Sequence, residues 1–100
     1  MQHDGRLAFT VMWEVRDGEV AAATDIVARF APEASKEPGL EFLMVNQCAT
    51  NPSQFLFDEI FRDAAAFEAH QETPHFRTLN LEQALPLLGK RERVQYTPLL

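Results

Sequence analysis

Two histidines and a glutamate fall within one short stretch, EIFRDAAAFEAHQETPHF (residues 59–76). An imidazole titrates near neutral pH, and a carboxylate within reach can set its charge and orientation, so Glu59, His70 and His75 are the residues with the types and spacing for acid–base chemistry. Glu59 shares strand parity with Phe55, Phe57 and Phe61. A carboxylate among phenyl rings is costly to ionise unless it is hydrogen-bonded or paired, and burial raises its pKa. Glu59 therefore lies at a sheet edge, in water, or holding something inside. His70, eleven residues on, ends a short Ala-rich helix, where it either satisfies terminal carbonyls or turns back over the strand. His75, beside Pro74 in a first helical turn, reads as a capping or surface residue.

Other chemistries find little support. His70 and His75 are five apart across a helix break, with no HExxH and no cysteine pair, so no metal site is expected. The four glycines (5, 18, 39 and 89) form neither a P-loop nor a dinucleotide fingerprint. Cys48, the one cysteine, excludes an internal disulfide and has no evident activating partner. A net charge of −6, with GKRER (89–93) as the only basic run, leaves no footprint for nucleic acid. No apolar stretch is long enough to span a bilayer, and MQHDGR lacks the pattern of a signal peptide. The expectation is a cytoplasmic protein with no membrane partner.

One hundred residues, 46% hydrophobic with eight Phe, make one globular domain over 1–100. LAFTVMWEV (7–15) alternates as a strand, carrying Trp13 in its middle as either core or binding platform. Residues 19 to about 36 repeat at helical spacing, with Pro32 expected to kink the helix or restart its last turn. Gly39 in EPGL suits the positive φ of a turn. LEFLMVNQ (40–47) and SQFLFDEIF (53–61) follow as a hairpin, then the short helix. Thr73 as N-cap and Pro74 at the first helical position start a helix towards Leu88. RERVQYTPL supplies a last strand. The order β-α-β-β-α-β is the ferredoxin-like α+β arrangement, a four-stranded antiparallel sheet with helices on one face.

Strands two and three are apolar on both faces: Phe42 and Met44 oppose Leu43 and Val45, while Phe55, Phe57 and Phe61 oppose Leu56 and Ile60. Helices cover one face only, so the other would expose a contiguous apolar patch. A homodimer packed sheet against sheet is expected, with Leu43, Val45, Leu56 or Ile60, or their opposite-parity neighbours, at the contact.

The stretch from Glu37-Pro38-Gly39 through Glu59 and Asp63 to His70 and Thr73-Pro74-His75-Phe76 resembles the central part of the antibiotic biosynthesis monooxygenase domain family. With the first strand and helix, the likeness spans residues 7 to about 97. The resemblance implies a dimeric α+β barrel and oxidation of phenolic or quinol substrates without flavin, haem or metal. It also makes His70 a pocket residue. The haem-degrading branch of this fold uses an Asn in the first strand, which LAFTVMWEV lacks.

On this basis the chain is expected to oxidise a small phenol or hydroquinone with O₂ and no cofactor. His70 would act as base, with Glu59 fixing its tautomer or orientation. Asn46 and Tyr96 would bind substrate oxygens, and Trp13, Phe57, Phe67 and Phe76 would form the walls. Two alternatives stay open. One is an isomerase of phosphorylated signals, with Arg62 or Arg77 nearest for the phosphate; the other is a non-catalytic ligand-binding dimer.

Overall fold

The computed structural model describes residues 5–100. Residues 1–4, and with them most of the MQHDGR stretch, lie outside the described residues. Strand β1 (Leu7–Val15) is followed by helix α1 (Val20–Ala34), the hairpin β2 (Leu40–Gln47) and β3 (Gln54–Phe61), and helix α2 (Ala64–Glu72). A third helix, Phe76–Ala84, is wound as a π-helix and tightens into a 3₁₀ turn at Leu85–Leu87 before β4 (Leu88–Tyr96). The four strands form one antiparallel sheet in the order β2-β3-β1-β4. This is the ferredoxin-like arrangement. No helix among the described residues is long and apolar enough to cross a membrane.

Strand parity builds the core. Phe9, Val11, Trp13 and Val15 of β1 and Phe55, Phe57, Glu59 and Phe61 of β3 all turn to the helix side and are buried. The stripe Ala23, Ile26, Phe30 and Ala34 of α1 closes over them at helical spacing. Helix α1 runs through Pro32 without a break, and the Ser35 amide still bonds the Ala31 carbonyl one turn beyond it.

A register shift between Leu40 and Phe42 sorts strand β2. Leu40, Leu43 and Val45 pack against the core, whereas Phe42 and Met44 face out. The open face of the sheet therefore carries Phe42, Met44 and Leu56, each more than a third exposed, with Val94 and Tyr96. Leu43 and Val45, expected as possible contact residues, belong to the helix-covered face instead. Leu56 and Ile60 share the outward parity with Met12 and Ala8 opposite them.

Gly39 corrects another expectation. Its φ is not positive. What requires glycine is a close approach, because a Cβ there would overlap the Ala66 methyl on α2. The Gly39 carbonyl also accepts the Arg62 amide at 2.8 Å, which pins the start of β2 to the end of β3.

Candidate functional site

Helix α2 starts at Asp63, whose carboxylate accepts the Ala66 amide at 2.8 Å as an N-cap. Ala66 and His70, one turn apart, form its buried face. Since Gly39 lies against Ala66, the loop that carries Glu37 is held beside the next turn of the helix, and Glu37 meets His70. His70 Nδ1 lies 2.9 and 3.0 Å from the two Glu37 oxygens. A carboxylate only accepts, so Nδ1 carries the proton and Nε2 of the neutral ring presents its lone pair.

His75 joins the same carboxylate, its Nε2–H donating to Glu37 at 2.6 Å. The expected surface role for His75 is thus corrected. The reason lies in Thr73, whose hydroxyl donates to the His70 carbonyl at 2.8 Å and accepts the Phe76 amide at 3.2 Å. That double bond across the helix break folds the Thr-Pro step tightly enough to swing His75 back over Glu37.

His70 sits in an aromatic box, its ring centre 5.0 Å from those of Phe61 and Phe76 and 6.0 Å from that of Phe30. Burial lowers its pKa, with the charge and hydrogen bond of Glu37 acting the other way. Glu59 faces the other side of the ring, 3.8 Å from Nε2, too far for a hydrogen bond. The part of tautomer-setter, expected of Glu59, is taken by Glu37. Glu59 is only 7% exposed, and burial, then the charge of Glu37, pushes its pKa up to about 7 against the opposing pull of Arg91 and Arg93.

His70 and Glu59 line a cavity with Trp13, Phe57, Phe67 and Phe76, so six of the eight expected site residues converge. Asn46 and Tyr96 do not. Asn46 pairs with Leu56 and Tyr96 with Ala8, on the open face of the sheet. The parity that turns Phe57 and Glu59 inward turns these two outward.

Sequence reasoning missed Asn80, Arg91 and Arg93, which also line the cavity. Strand parity could have found the arginines: Arg91 pairs with Trp13 and Arg93 with Val11, both inward. Asn80 gave no signal, because the π winding that places it has no sequence signature. The enclosed space is about 20 Å³, room for about one water.

The donor atoms of Glu37, His70 and His75 lie within 4.8 Å of one another. The two histidines, separated by a helix break in sequence, therefore converge on a donor set that the spacing alone did not predict. His₂Glu is a set that divalent zinc accepts once the shared protons are lost. As it stands, one nitrogen of each histidine is hydrogen-bonded to the Glu37 carboxylate.

No protein with a curated description matches this sequence. Solved structures do. A Nitrosomonas europaea protein superposes with a TM-score of 0.91 at 22% identity, covering 99% of this chain and 94% of its own. A Pseudomonas aeruginosa protein gives 0.86 at 24% identity, covering both chains completely (100% and 100%). One from Methanosarcina mazei gives 0.86 at 20%, over 94% and 93% of the two chains. At these identities the likeness establishes the fold alone. The sequence itself goes further: residues 7–80, which hold Glu37, Glu59, His70 and His75, match the model of the antibiotic biosynthesis monooxygenase family, and the chain belongs to that family.

Proposed function

We propose that the protein is a cofactor-independent monooxygenase that oxidises a small hydroquinone-type phenol with O₂. The observation that carries this reading is the two-sided setting of His70. Its Nδ1–H is tied to Glu37, and its Nε2 faces an aromatic-lined cavity beside Glu59. A neutral imidazole held in that tautomer is a base aimed into an aromatic-lined pocket.

The phenolic proton passes to Nε2, and the resulting imidazolium is stabilised through Nδ1 by Glu37. The phenolate, far more electron-rich than the phenol, gives one electron to O₂. Superoxide and the substrate radical combine at ring carbon, and the O–O bond then breaks. One oxygen atom stays on the ring as a carbonyl while the other leaves as water, so the substrate supplies all the electrons. The enclosed space of about 20 Å³ has room for about one water, so a ring enters only as side chains at its wall swing aside. Arg91, exposed and without a stacking partner among the described residues, is the one with freedom to do so.

The test is oxygen uptake with a panel of hydroquinones, using chelator-treated protein free of visible chromophore. Uptake of one O₂ per substrate supports the reading. Turnover of phosphorylated ketones without oxygen consumption would identify an isomerase in its place, and binding without turnover would leave a ligand-binding protein. For an isomerase the phosphate would meet Arg91 and Arg93, since Arg62 and Arg77 are exposed and outside the cavity lining.

The open sheet face supports a homodimer of the barrel type, for which Phe42, Met44, Leu56, Ile60 and Tyr96 are the contact residues. Sedimentation at micromolar concentration should give twice the mass of the chain. A monomer there would sink the dimer.

A further inference from the structure

Arg91 and Arg93 are charges that the acid–base machinery above leaves unused. They alternate along β4 with outward residues and lie on the helix side, opposite Trp13 and Val11. Both line the cavity. Among the described residues neither has a carboxylate at salt-bridge distance, although ion pairs form elsewhere. Glu59, the acid of the same cavity, makes no ion pair with either arginine; its contact within 4 Å is with His70. Burial, then repulsion from Arg93, lowers the pKa of Arg91, with the charge of Glu59 acting the other way.

A chain with net charge −6 has thus placed two part-exposed cations, neither in salt-bridge contact with a carboxylate among the described residues, on one wall of an aromatic pocket. The guanidinium of Arg93 lies over the Phe9 and Phe67 rings, at 5.4 and 5.2 Å from their centres. Stacking of this kind pins its plane. Deeper in, the Asn80 Oδ1 is buried with no hydrogen-bond partner, an acceptor that awaits a donor.

Resting on the reading above, we infer that the substrate is a hydroxylated aromatic acid. Its ring lies against Trp13 and Phe57, its carboxylate pairs with Arg91 and Arg93, and a ring hydroxyl donates to Asn80 or His70. The rigid fork of arginine matches a planar carboxylate in a way that a hydroxyl or water does not. The carboxylate supplies the direct salt-bridge partner that Glu59, the cavity's own acid, does not give either arginine, and the aromatic surfaces suit a flat ring rather than an aliphatic acid.

A matched pair of probes tests this without any turnover: 2,5-dihydroxybenzoate, and hydroquinone, which lacks only the carboxylate. Trp13 is the single tryptophan and lines the cavity, so its fluorescence reports occupancy. The acid should bind at least about tenfold more tightly than hydroquinone. That preference should shrink as salt is raised, while the neutral ligand should be insensitive to it. In the Arg91→Gln/Arg93→Gln double variant the preference for the acid over hydroquinone should fall to within about twofold. The salt titration on the unaltered protein keeps the inference testable should that variant fold poorly.

Equal affinities, a preference indifferent to salt, or one that survives loss of both arginines would overturn the inference. Tighter binding of 4-hydroxyphenyl phosphate than of the benzoate would overturn the carboxylate assignment and transfer the cations to a phosphate. Since the readout is binding, absence of oxygen uptake alongside a strong preference for the acid would refute the oxygenase reading alone.

Discussion

The two sides of the His70 ring are built on opposite principles. On the Nδ1 side the polar groups bond one another, since Glu37 accepts from both His70 and His75 in a compact triad. On the Nε2 side, a buried carboxylate, two arginines and an amide oxygen face a small cavity and make no strong bond with one another. The first arrangement holds a ring still. The second leaves polar groups unsatisfied beside a space, which costs stability and is retained where a ligand completes it. The contrast teaches that the same imidazole is anchored by one carboxylate and poised against another.

The hardest blow to both sides is His70→Ala. If its Nε2 is the base, oxygen uptake per folded molecule should fall on the order of 10² to 10⁴-fold. An intact rate in a less stable protein would reduce His70 to a packing residue.

Next comes Glu37→Ala, which strips the anchored side. Two histidine N–H groups, one of them almost fully buried, lose their acceptor. The expected cost is on the order of 3 kcal/mol, read from urea unfolding. A loss under about 1 kcal/mol would mean that water replaces the carboxylate and that the triad anchors nothing.

The poised side has its own signature, and its sign is opposite to that of most carboxylates. Between about pH 4.5 and 7 the folded protein keeps a proton on Glu59 that the unfolded chain has released. The associated stability is complete below pH 4.5 and lost as pH rises through about 7. The displacement from 4.5 to about 7 corresponds to on the order of 3 kcal/mol. Glu59→Gln should therefore match the unaltered protein at pH 5 and exceed it in stability at pH 8.

His70, whose folded pKa is lowered, acts in the other direction. Stability falls as pH drops below its unfolded value near 6.5. In Glu59→Gln that slope stands alone, so stability should rise from pH 5 to 6.5. A variant with parallel pH curves to the parent would show that Glu59 is ionised and paired.

Gly39→Ala probes what brings the two sides together. The new methyl meets Ala66, and relief of the overlap must push the Glu37 loop off α2. A loss of about 2 kcal/mol is expected, with a larger fall in turnover than in ligand affinity, because the cavity lining is untouched. The smallest effect is His75→Ala, which removes one hydrogen bond from a carboxylate that keeps another. About 1 kcal/mol should be lost, and the affinity of cavity ligands should stay the same.

Much of this was legible in the chain, for local reasons. Alternation along LAFTVMWEV and SQFLFDEIF and the helical spacing after Glu19 are properties of neighbours in sequence. They define the strands, the helices and the inward parity of Trp13, Phe57 and Glu59. Parity also held the answer for Asn46 and Tyr96, had each been counted in register with β3 and β1. It would have turned both outward, and Arg91 and Arg93 inward.

The partner of His70 was another matter. Glu37 is 33 residues away, and although it opens the Glu37-Pro38-Gly39 stretch that resembles the family, nothing in its spacing ties it to His70. It reaches the imidazole because Gly39 lets two backbones touch, and His75 reaches it because Thr73 closes a bend. Whether a carboxylate accepts a proton from histidine or carries its own depends on what surrounds it. Sequence alone determined the strands and helices and which residue types were on hand. Only the tertiary structure decided which glutamate anchors and which one waits, because hydrogen bonding and desolvation are set by neighbours in space.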